Sequence, residues 1–494
     1  MSAPADPSST ETPARGRRAT RNAAVQASGE LLGKLASLVL FAAMARVLGP
    51  GEVGVFVFAL AFSQIAALPI SIGLDNLLLV EVARDRSALD RLFLNLLSLK
   101  LALVVPLAVV AALVSLAFDL DAEGRATLLL LGVGVIFEAL SRTVFFAFNA
   151  VERGELLAAA LVVQRVTAAA LGLGALGAGF GLVAVAATYA MGAALGLGLA
   201  TVLLARSVGL PKSGLDTASW SGILARGWPF ATQDGLGILL ARADTLFLAV
   251  LATSAAVGHY GAAYRLLEAT FFVTFSIGGA FTAMFASLDE RTTPTVNESF
   301  QHALKLALVV LSPCAVALAL LAEPLSRLFF GPAFAAAAEP LRFLAPVVIL
   351  MSIAQISGWL SLSRRTPATV VRLTGLILAA NLALNLALIP TLADRGAALA
   401  MLLTEVVAVV LLVRLALRTV GRADWFGLLA GPAAGSAAMA AAILGVGGPL
   451  AVTLAAGALT YLVALVLVEL LVSPEDLKLS ARVLRRRIGH ASPL

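Results

Sequence analysis

Apolar stretches of about 20 residues recur along the whole chain and constrain its fold more than any other feature. An α-helix needs this length to cross a bilayer, whereas the strands of a membrane β-barrel are about half as long and alternate in polarity. The chain is also 60% hydrophobic and only 13% charged, where soluble domains are about 25% charged. The sequence therefore predicts an all-α polytopic membrane protein.

Windows of this length predict about 14 transmembrane spans. These cover residues 23–47, 54–80, 92–118, 126–148, 156–178, 181–205, 224–251, 257–288, 303–321, 341–362, 368–389, 397–417, 426–446 and 450–472. We expect a disordered cytoplasmic tail at 1–22, which is rich in Ser, Thr, Pro and Ala, and a basic cytoplasmic tail at 473–494.

The basic residues divide unevenly between alternate connections, as they do when topology is fixed by positive charge on the inside. One side holds Arg84, Arg86, Arg91, Arg153, Arg206, Lys212, Arg226, Arg291, Arg364, Arg365, Arg418 and Arg422, together with the basic C-terminal tail. The other side holds only Arg46, Arg125, Arg327 and Arg395. This predicts an even number of spans with both termini in the cytoplasm. It also explains the net charge of +6 without a nucleic acid partner.

Short motifs recur at an offset of roughly 200 residues, which suggests two related halves. Residues 53–56 (VGVF) resemble 257–260 (VGHY), and the glycine motif before the sixth span resembles the one before the twelfth. We therefore predict six-helix lobes at 23–209 and 210–420, followed by two extra helices at 421–472. Transporters use such repeats to build a substrate site near the middle of the membrane.

Charged residues interrupt the seventh and eighth predicted spans: Asp234, Arg242, Asp244, Arg265 and Glu268. An ion deep in hydrocarbon costs at least a few kcal/mol, so such side chains face a bundle interior or a wet cavity. Arg242 and Asp244 are two residues apart and cannot share a helix face. Arg265 and Glu268 are three apart, and they either neutralise each other or serve a ligand.

Three further charged side chains are candidates for a role in the cavity. Lys34 shares a helix face with Gln26 and Glu30, and it either joins a paired cluster at the interface or points into the cavity. We assign Arg165 to the cavity because the fifth span offers it no acid at helical spacing. Glu405 is a lone acid in the twelfth span and a candidate proton carrier.

For the remaining polar pairs we expect structural roles. Asp75 and Asn76 are expected to be solvated at a helix end, and Glu138 and Arg142 to form an ion pair within the membrane. Asn381 and Asn385 stack on one helix face, where amides can hydrogen-bond across helices.

Signatures of an enzyme are missing from the sequence. It has three scattered histidines, one cysteine and no GxxxxGK[ST] phosphate loop. The connections are also too short to form a catalytic domain. We therefore predict a carrier that is not an enzyme and needs no metal or cofactor, with H+ or Na+ as the candidate coupling ion.

Four motifs resemble the bacterial polysaccharide (Wzx-type) flippases of the multidrug/oligosaccharidyl-lipid/polysaccharide exporter superfamily. They are ARVLGPGEVGVF, VGHYGAAYRL, FFGPAF and NLALNLALIPTLADRGAALA. The resemblance implies two six-helix lobes in a V around a central cavity, with alternating access. It implies transfer of an undecaprenyl-diphosphate-linked oligosaccharide from the cytoplasmic to the outer leaflet of the bacterial plasma (inner) membrane. The implied partners are this glycan, membrane lipid and a polysaccharide polymerase.

The resemblance also implies substrate-binding residues. In such flippases basic side chains on the first, seventh or eighth helices hold the diphosphate, and Lys34, Arg242 and Arg265 match those places here. Arg165 joins this set on its depth in the fifth span alone.

Three alternatives stay open. A cation-coupled multidrug exporter would use Asp234, Asp244, Glu268 and Glu405 as coupling acids. A lipid II flippase of the same superfamily is disfavoured because the second span holds no basic residue. A membrane scaffold in envelope assembly would not transport at all.

Overall fold

The computed structural model describes residues 8–71, 73–118, 120–207, 209, 214–287, 293–364 and 367–472. All regular secondary structure in these residues is helical, which confirms the predicted all-α class. The α-helices are α1 Ser8–Ala66, α2 Leu68–Ser71, α3 Leu74–Arg84, α4 Ala88–Ser115, α5 Ala122–Ala150, α6 Gly154–Gly177, α7 Leu182–Ser207, α8 Trp220–Leu251, α9 Ser254–Ser287, α10 Thr293–Leu320, α11 Ala322–Phe330, α12 Ala338–Leu344, α13 Val347–Ser363, α14 Pro367–Val420, α15 Trp425–Gly445 and α16 Leu450–Val472. Two short 3-10 helices, Thr217–Ser219 and Pro332–Ala337, precede α8 and α12.

Nine helices in the described part of the chain are long and apolar enough to cross a membrane. A tenth span results if the bent pair Pro332–Leu344 and Val347–Ser363 crosses as one. The chain is therefore a multi-span membrane protein. The total of 14 stays a prediction.

Two of these helices contain a sharp backbone break. In α1 the break is at Gly49, with φ of 80°, and in α14 it is at Ala393, with φ of 50°. Both breaks fall in predicted connections between spans. Each long helix therefore consists of two helices joined by a tight turn, and glycine suits the positive φ at the first break because it has no Cβ.

The N-terminal segment is helical from Ser8 onward, although we expected disorder over residues 1–22. Residues 14–24 are rich in Ala and Arg, which are strong helix formers. Residues 1–7 and the predicted basic tail at 473–494 lie outside the described residues.

Contacts between helices divide the chain into two compact units, Met1–Gly261 and Ala262–Leu494, here called unit 1 and unit 2. The division falls later than the lobe boundary that we predicted near residue 210, because α8 packs against α1 and α3. The predicted extra helices, α15 and α16, belong to unit 2, where α15 packs on α10.

In unit 1 the second predicted span is broken between α2 and α3. Gly73 precedes α3 with φ of 52°, and a Cβ atom there would collide with the backbone of Gly227 and Ala231 on α8. Only glycine permits this approach. The break starts α3 inside the unit, so that the polar first turn of α3 is buried beside α8.

The repeated VG motifs lie against each other in unit 1. A Cβ atom at Gly54 would collide with the carbonyl group of Ser254, and one at Gly258 would collide with the carbonyl group of Pro50. The two glycines therefore bring the backbones of α1 and α9 into direct contact. This packing gives a physical reason for glycine at both motif positions.

In unit 2 the last helix is fixed to α10 by polar contacts. The hydroxyl of Tyr461 donates to the carbonyl oxygen of Val309 over 2.7 Å, and Lys305 Nζ lies 2.6 Å from Glu469 Oε2. These contacts join α16 to α10.

Candidate functional site

A buried ion pair between Asp75 and Lys100 lies inside unit 1. Lys100 Nζ donates to both carboxylate oxygens of Asp75, over 2.7 and 2.9 Å, and to the carbonyl oxygen of Ala139 over 3.0 Å. All three ammonium protons therefore have an acceptor. The side chains of Lys100 and Asp75 are 0% and 1% exposed. This pair joins α3, α4 and α5, so the expectation that Asp75 is solvated is wrong.

Arg142 and Asp234 extend this polar interior. Arg142 Nε lies 3.9 Å from Asp75 Oδ2, and its side chain is 37% exposed. Asn76 donates to Asp234 Oδ2 over 2.9 Å, which links α3 to α8. Arg142 therefore pairs with Asp75 and not, as expected, with Glu138.

Asp234 also lines a recess along α8 of about 280 Å³. Its walls include Leu68, Trp228, Ala231 and Leu239. The recess is apolar apart from this acid and Thr232.

Glu138 on α5 forms a second polar cluster of unit 1. Gln164 Nε2 on α6 donates to its carboxylate over 2.8 Å, and Tyr189 on α7 also hydrogen-bonds to it. Arg165 and Arg142 are close enough to act on Glu138 electrostatically. Two arginines therefore act on one acid in this cluster.

Lys34 and Arg165 lie on the packed helices α1 and α6. A Cβ atom at Gly33 would lie 2.7 Å from Arg165 Cδ, so the arginine stem crosses α1 at the residue before Lys34. Both side chains are half-buried. Within the described residues neither makes a hydrogen bond or a close ion pair, and Arg165 interacts electrostatically with Glu138.

Arg242 and Asp244 have separate surroundings, as their spacing predicted. Arg242 Nε donates to Gln64 Oε1 over 2.7 Å, and its side chain is half-buried. Asp244 is 3% exposed and accepts a hydrogen bond from Tyr260 over 2.8 Å.

The predicted site residues of unit 2 lie on α9 and α14. Arg265 Nη1 donates to Glu268 Oε2 over 2.9 Å, so these residues form the ion pair that their spacing allows. Glu405 is buried on α14 beside Thr404, whose hydroxyl accepts from Asn381 over 3.2 Å. Whether these residues and those of unit 1 bind substrate or a coupling ion stays a prediction.

The described residues contain no group of three or more His, Cys, Asp or Glu side chains that could hold a metal ion.

Sequence reasoning missed Lys100 and undervalued Asp75, Glu138 and Arg142. The available signal was that Lys100 interrupts an apolar run, which requires a partner in a membrane. Its partner lies 25 residues away on another helix, so helical spacing within one span could not identify it.

Several solved structures have a similar fold. The chain is similar to a structure of lipid II flippase MurJ in an inward closed conformation, with TM-score 0.70 and 14% identity over 89% of this chain and 97% of that one. It is also similar to a structure of the MATE multidrug transporter DinF-BH, with TM-score 0.62 and 17% identity over 82% and 97%. A third similar structure is a MOP superfamily transporter from Pyrococcus furiosus, with TM-score 0.59 and 16% identity over 81% and 95%. At these identities the similarity shows the fold.

No curated protein matches the chain. The sequence profile of a family described as "Polysaccharide biosynthesis protein" matches residues 19–288, which is more than half of the 494 residues. This match confirms the resemblance carried by the sequence motifs. On this evidence the chain belongs to the polysaccharide biosynthesis protein family.

Proposed function

We propose that this protein is a flippase that moves undecaprenyl-diphosphate-linked oligosaccharide from the cytoplasmic to the outer leaflet of a bacterial inner membrane. Family membership supports a role in polysaccharide assembly, and the fold is shared with flippases and transporters. In this proposal both termini lie in the cytoplasm, and a polysaccharide polymerase uses the exported glycan.

The observation that carries the proposal is the pair of cations at Lys34 and Arg165. Both are half-buried on packed helices, and their N–H donors are not bonded to any described residue. A diphosphate that leaves water needs charged donors in place of its hydration shell. Arg suits this task because it stays charged and donates two parallel bonds to phosphate oxygens.

Arg242 and Arg265 are the further proposed phosphate contacts. Arg242 Nε donates to the side-chain oxygen of Gln64, which is a neutral residue. Arg265 would have to exchange its bond with Glu268 for one with phosphate. Asp234, Asp244, Glu268 and Glu405 are the proposed coupling acids for H+ or Na+.

Translocation in proteoliposomes tests this function. The probe is an undecaprenyl-diphosphate-linked sugar, and the readout is its accessibility in the outer leaflet. We expect Arg165→Gln, Arg242→Gln and Arg265→Gln each to slow flipping about tenfold or more, since a hydrogen bond to a charged group is worth about 1.5–3 kcal/mol. Arg153→Gln is the matched control, because Arg153 is a surface residue paired with Glu155. Wild-type flipping rates in all three variants would contradict the proposal.

The α8 recess favours one second candidate, a cation-coupled multidrug exporter. An apolar recess with Trp228 and Asp234 in its walls suits an organic cation. Efflux of a cationic dye that is lost in Asp234→Asn, without any flipping of the lipid-linked sugar, would favour this function. Flipping of lipid II alone would instead favour a lipid II flippase.

A further inference from the structure

We propose that Glu138 is an internal counter-ion: it neutralises Arg142 and Arg165 before substrate binds, and it then competes with the substrate diphosphate for them. This inference rests on the proposed flippase function and adds how the same site can release its ligand.

Two guanidinium groups act electrostatically on the carboxylate of Glu138. Arg142 lies one helical turn after Glu138 on α5, so both share a helix face. Arg165 approaches from α6, and both arginines act electrostatically on the acid. The direct hydrogen bonds to Glu138 come from neutral groups, Gln164 and Tyr189. The acid therefore balances charge without occupying the N–H donors of Arg165.

Three glycines give the neighbouring side chains their positions. A Cβ atom at Gly33 would lie 2.7 Å from Arg165 Cδ, and one at Gly134 would lie 2.6 Å from the Tyr189 ring. A Cβ atom at Gly196 would lie 2.6 Å from the Cβ of Gln164. Such a distance forces a side chain to move, so each glycine is needed for the observed packing.

Arg165 is half-buried and needs an anion, because a charge removed from water without compensation is costly and Arg cannot lose its proton in a protein. A diphosphate carries more negative charge than a carboxylate and accepts bidentate hydrogen bonds from Arg. It can therefore displace Glu138 as the counter-ion of the arginines. Once bound, it lies close to an acid of the same sign, and like charges weaken the complex. Glu138 thus limits affinity and promotes release.

Binding to the full-length protein in nanodiscs tests the inference. The probe is a short-chain polyprenyl diphosphate that carries N-acetylglucosamine. We expect Glu138→Gln to bind the probe at least about tenfold more tightly than wild type, because a like charge beside an anion costs several kcal/mol before screening. The same variant should flip the probe more slowly, because release is slower. A merely structural role for Glu138 would not produce a gain in affinity.

Glu155→Gln is the control, because Glu155 is an exposed acid near the start of α6 and its loss should leave affinity unchanged. If Glu138→Gln does not fold, the same binding measurement is made on Glu138→Asp. This variant keeps the negative charge but moves it away from the arginines by one methylene. We expect that variant to bind about two- to fivefold more tightly.

The outcomes separate the two proposals. Probe binding by wild type with unchanged or weaker binding in the Glu138 variants overturns the counter-ion role and leaves the flippase function in place. No binding by wild type overturns the proposed function and this inference with it.

Discussion

The interiors of the two units differ in chemistry. Unit 1 contains a fully buried ion pair, Lys100 with Asp75, and Arg165 acts electrostatically on Glu138. Contacts inside unit 2 include neutral hydrogen bonds, such as Thr274 to Ser352 over 2.6 Å and Asn385 to Asn381 over 3.0 Å. The Lys305–Glu469 pair of unit 2 is less completely buried, with side chains 15% and 9% exposed.

This difference suggests a division of tasks. Neutral amides and hydroxyls join helices at a modest energy, about 0.6–2 kcal/mol per bond. Buried ions cost more and mark functional or tightly paired positions. The following predictions test this contrast between the interiors of the two units.

The largest expected effect is on the Asp75–Lys100 pair. Lys100→Met leaves Asp75 buried without its ammonium partner, which should reduce the free energy of unfolding by about 3–5 kcal/mol. Thermal unfolding of the protein in detergent measures this.

A double variant and unit 2 supply the controls. Asp75→Asn combined with Lys100→Met removes both charges and should recover most of the loss. Lys305→Met in unit 2 should cost less, because the pair that it breaks is 15% and 9% exposed against 0% and 1%. Equal losses for Lys100→Met and Lys305→Met would break the contrast between the units.

The next effect concerns the glycine under Arg165. Gly33→Ala places a methyl group 2.7 Å from Arg165 Cδ, and such overpacking costs about 1–3 kcal/mol. We expect the displaced arginine to bind the diphosphate probe about tenfold more weakly, measured by nanodisc titration. The control is Gly174→Ala on α6, where a methyl group meets open space. If Gly33→Ala binds the diphosphate probe as tightly as wild type, the position of Arg165 does not matter for binding.

A smaller effect is expected in unit 2. Asn381→Ala removes bonds with Thr404 and Asn385, and should cost about 1–3 kcal/mol in unfolding free energy because buried polar partners lose their bonds. The affinity for the diphosphate probe should not change. A loss of binding as large as that of the Arg165 variants would contradict the purely structural role of Asn381.

The smallest effect concerns the connection between α3 and α4. Hydrogen bonds from Ser87, with Arg91 close by, hold the pKa of Asp85 below its ordinary value. A lowered folded-state pKa stabilises the protein above the unfolded value of about 4, and this stabilisation is lost as the pH falls through the folded value. Ser87→Ala should therefore lose less stability than wild type between pH 6 and pH 3, as measured by thermal unfolding. Identical losses would show that the Ser87 bonds contribute nothing.

Hydropathy was sufficient to predict the helical membrane fold, because about 20 apolar residues have few alternatives to a spanning helix. It also predicted the connections at which α1 and α14 break, and it marked Lys34, Arg165, Arg242 and Arg265 as unusual cations in apolar spans.

The internal pairing was not predictable, because spacing rules describe one helix at a time. Glu138 and Arg142 have ideal spacing, yet Arg142 pairs with Asp75 across helices. That pairing depends on the break at Gly73, which buries the first turn of α3. Likewise the role of Gly33 follows from a packing contact with α6 and not from any local motif.

Binding of the diphosphate probe by the double variant Lys34→Gln/Arg165→Gln in nanodiscs tests whether these two cations hold the substrate. Arg153→Gln is the control. If these two cations hold the diphosphate, affinity should fall by at least about 100-fold, since two charge-assisted hydrogen bonds of about 1.5–3 kcal/mol each are lost. A double variant that folds and binds the probe as tightly as wild type would show that Lys34 and Arg165 do not hold the diphosphate.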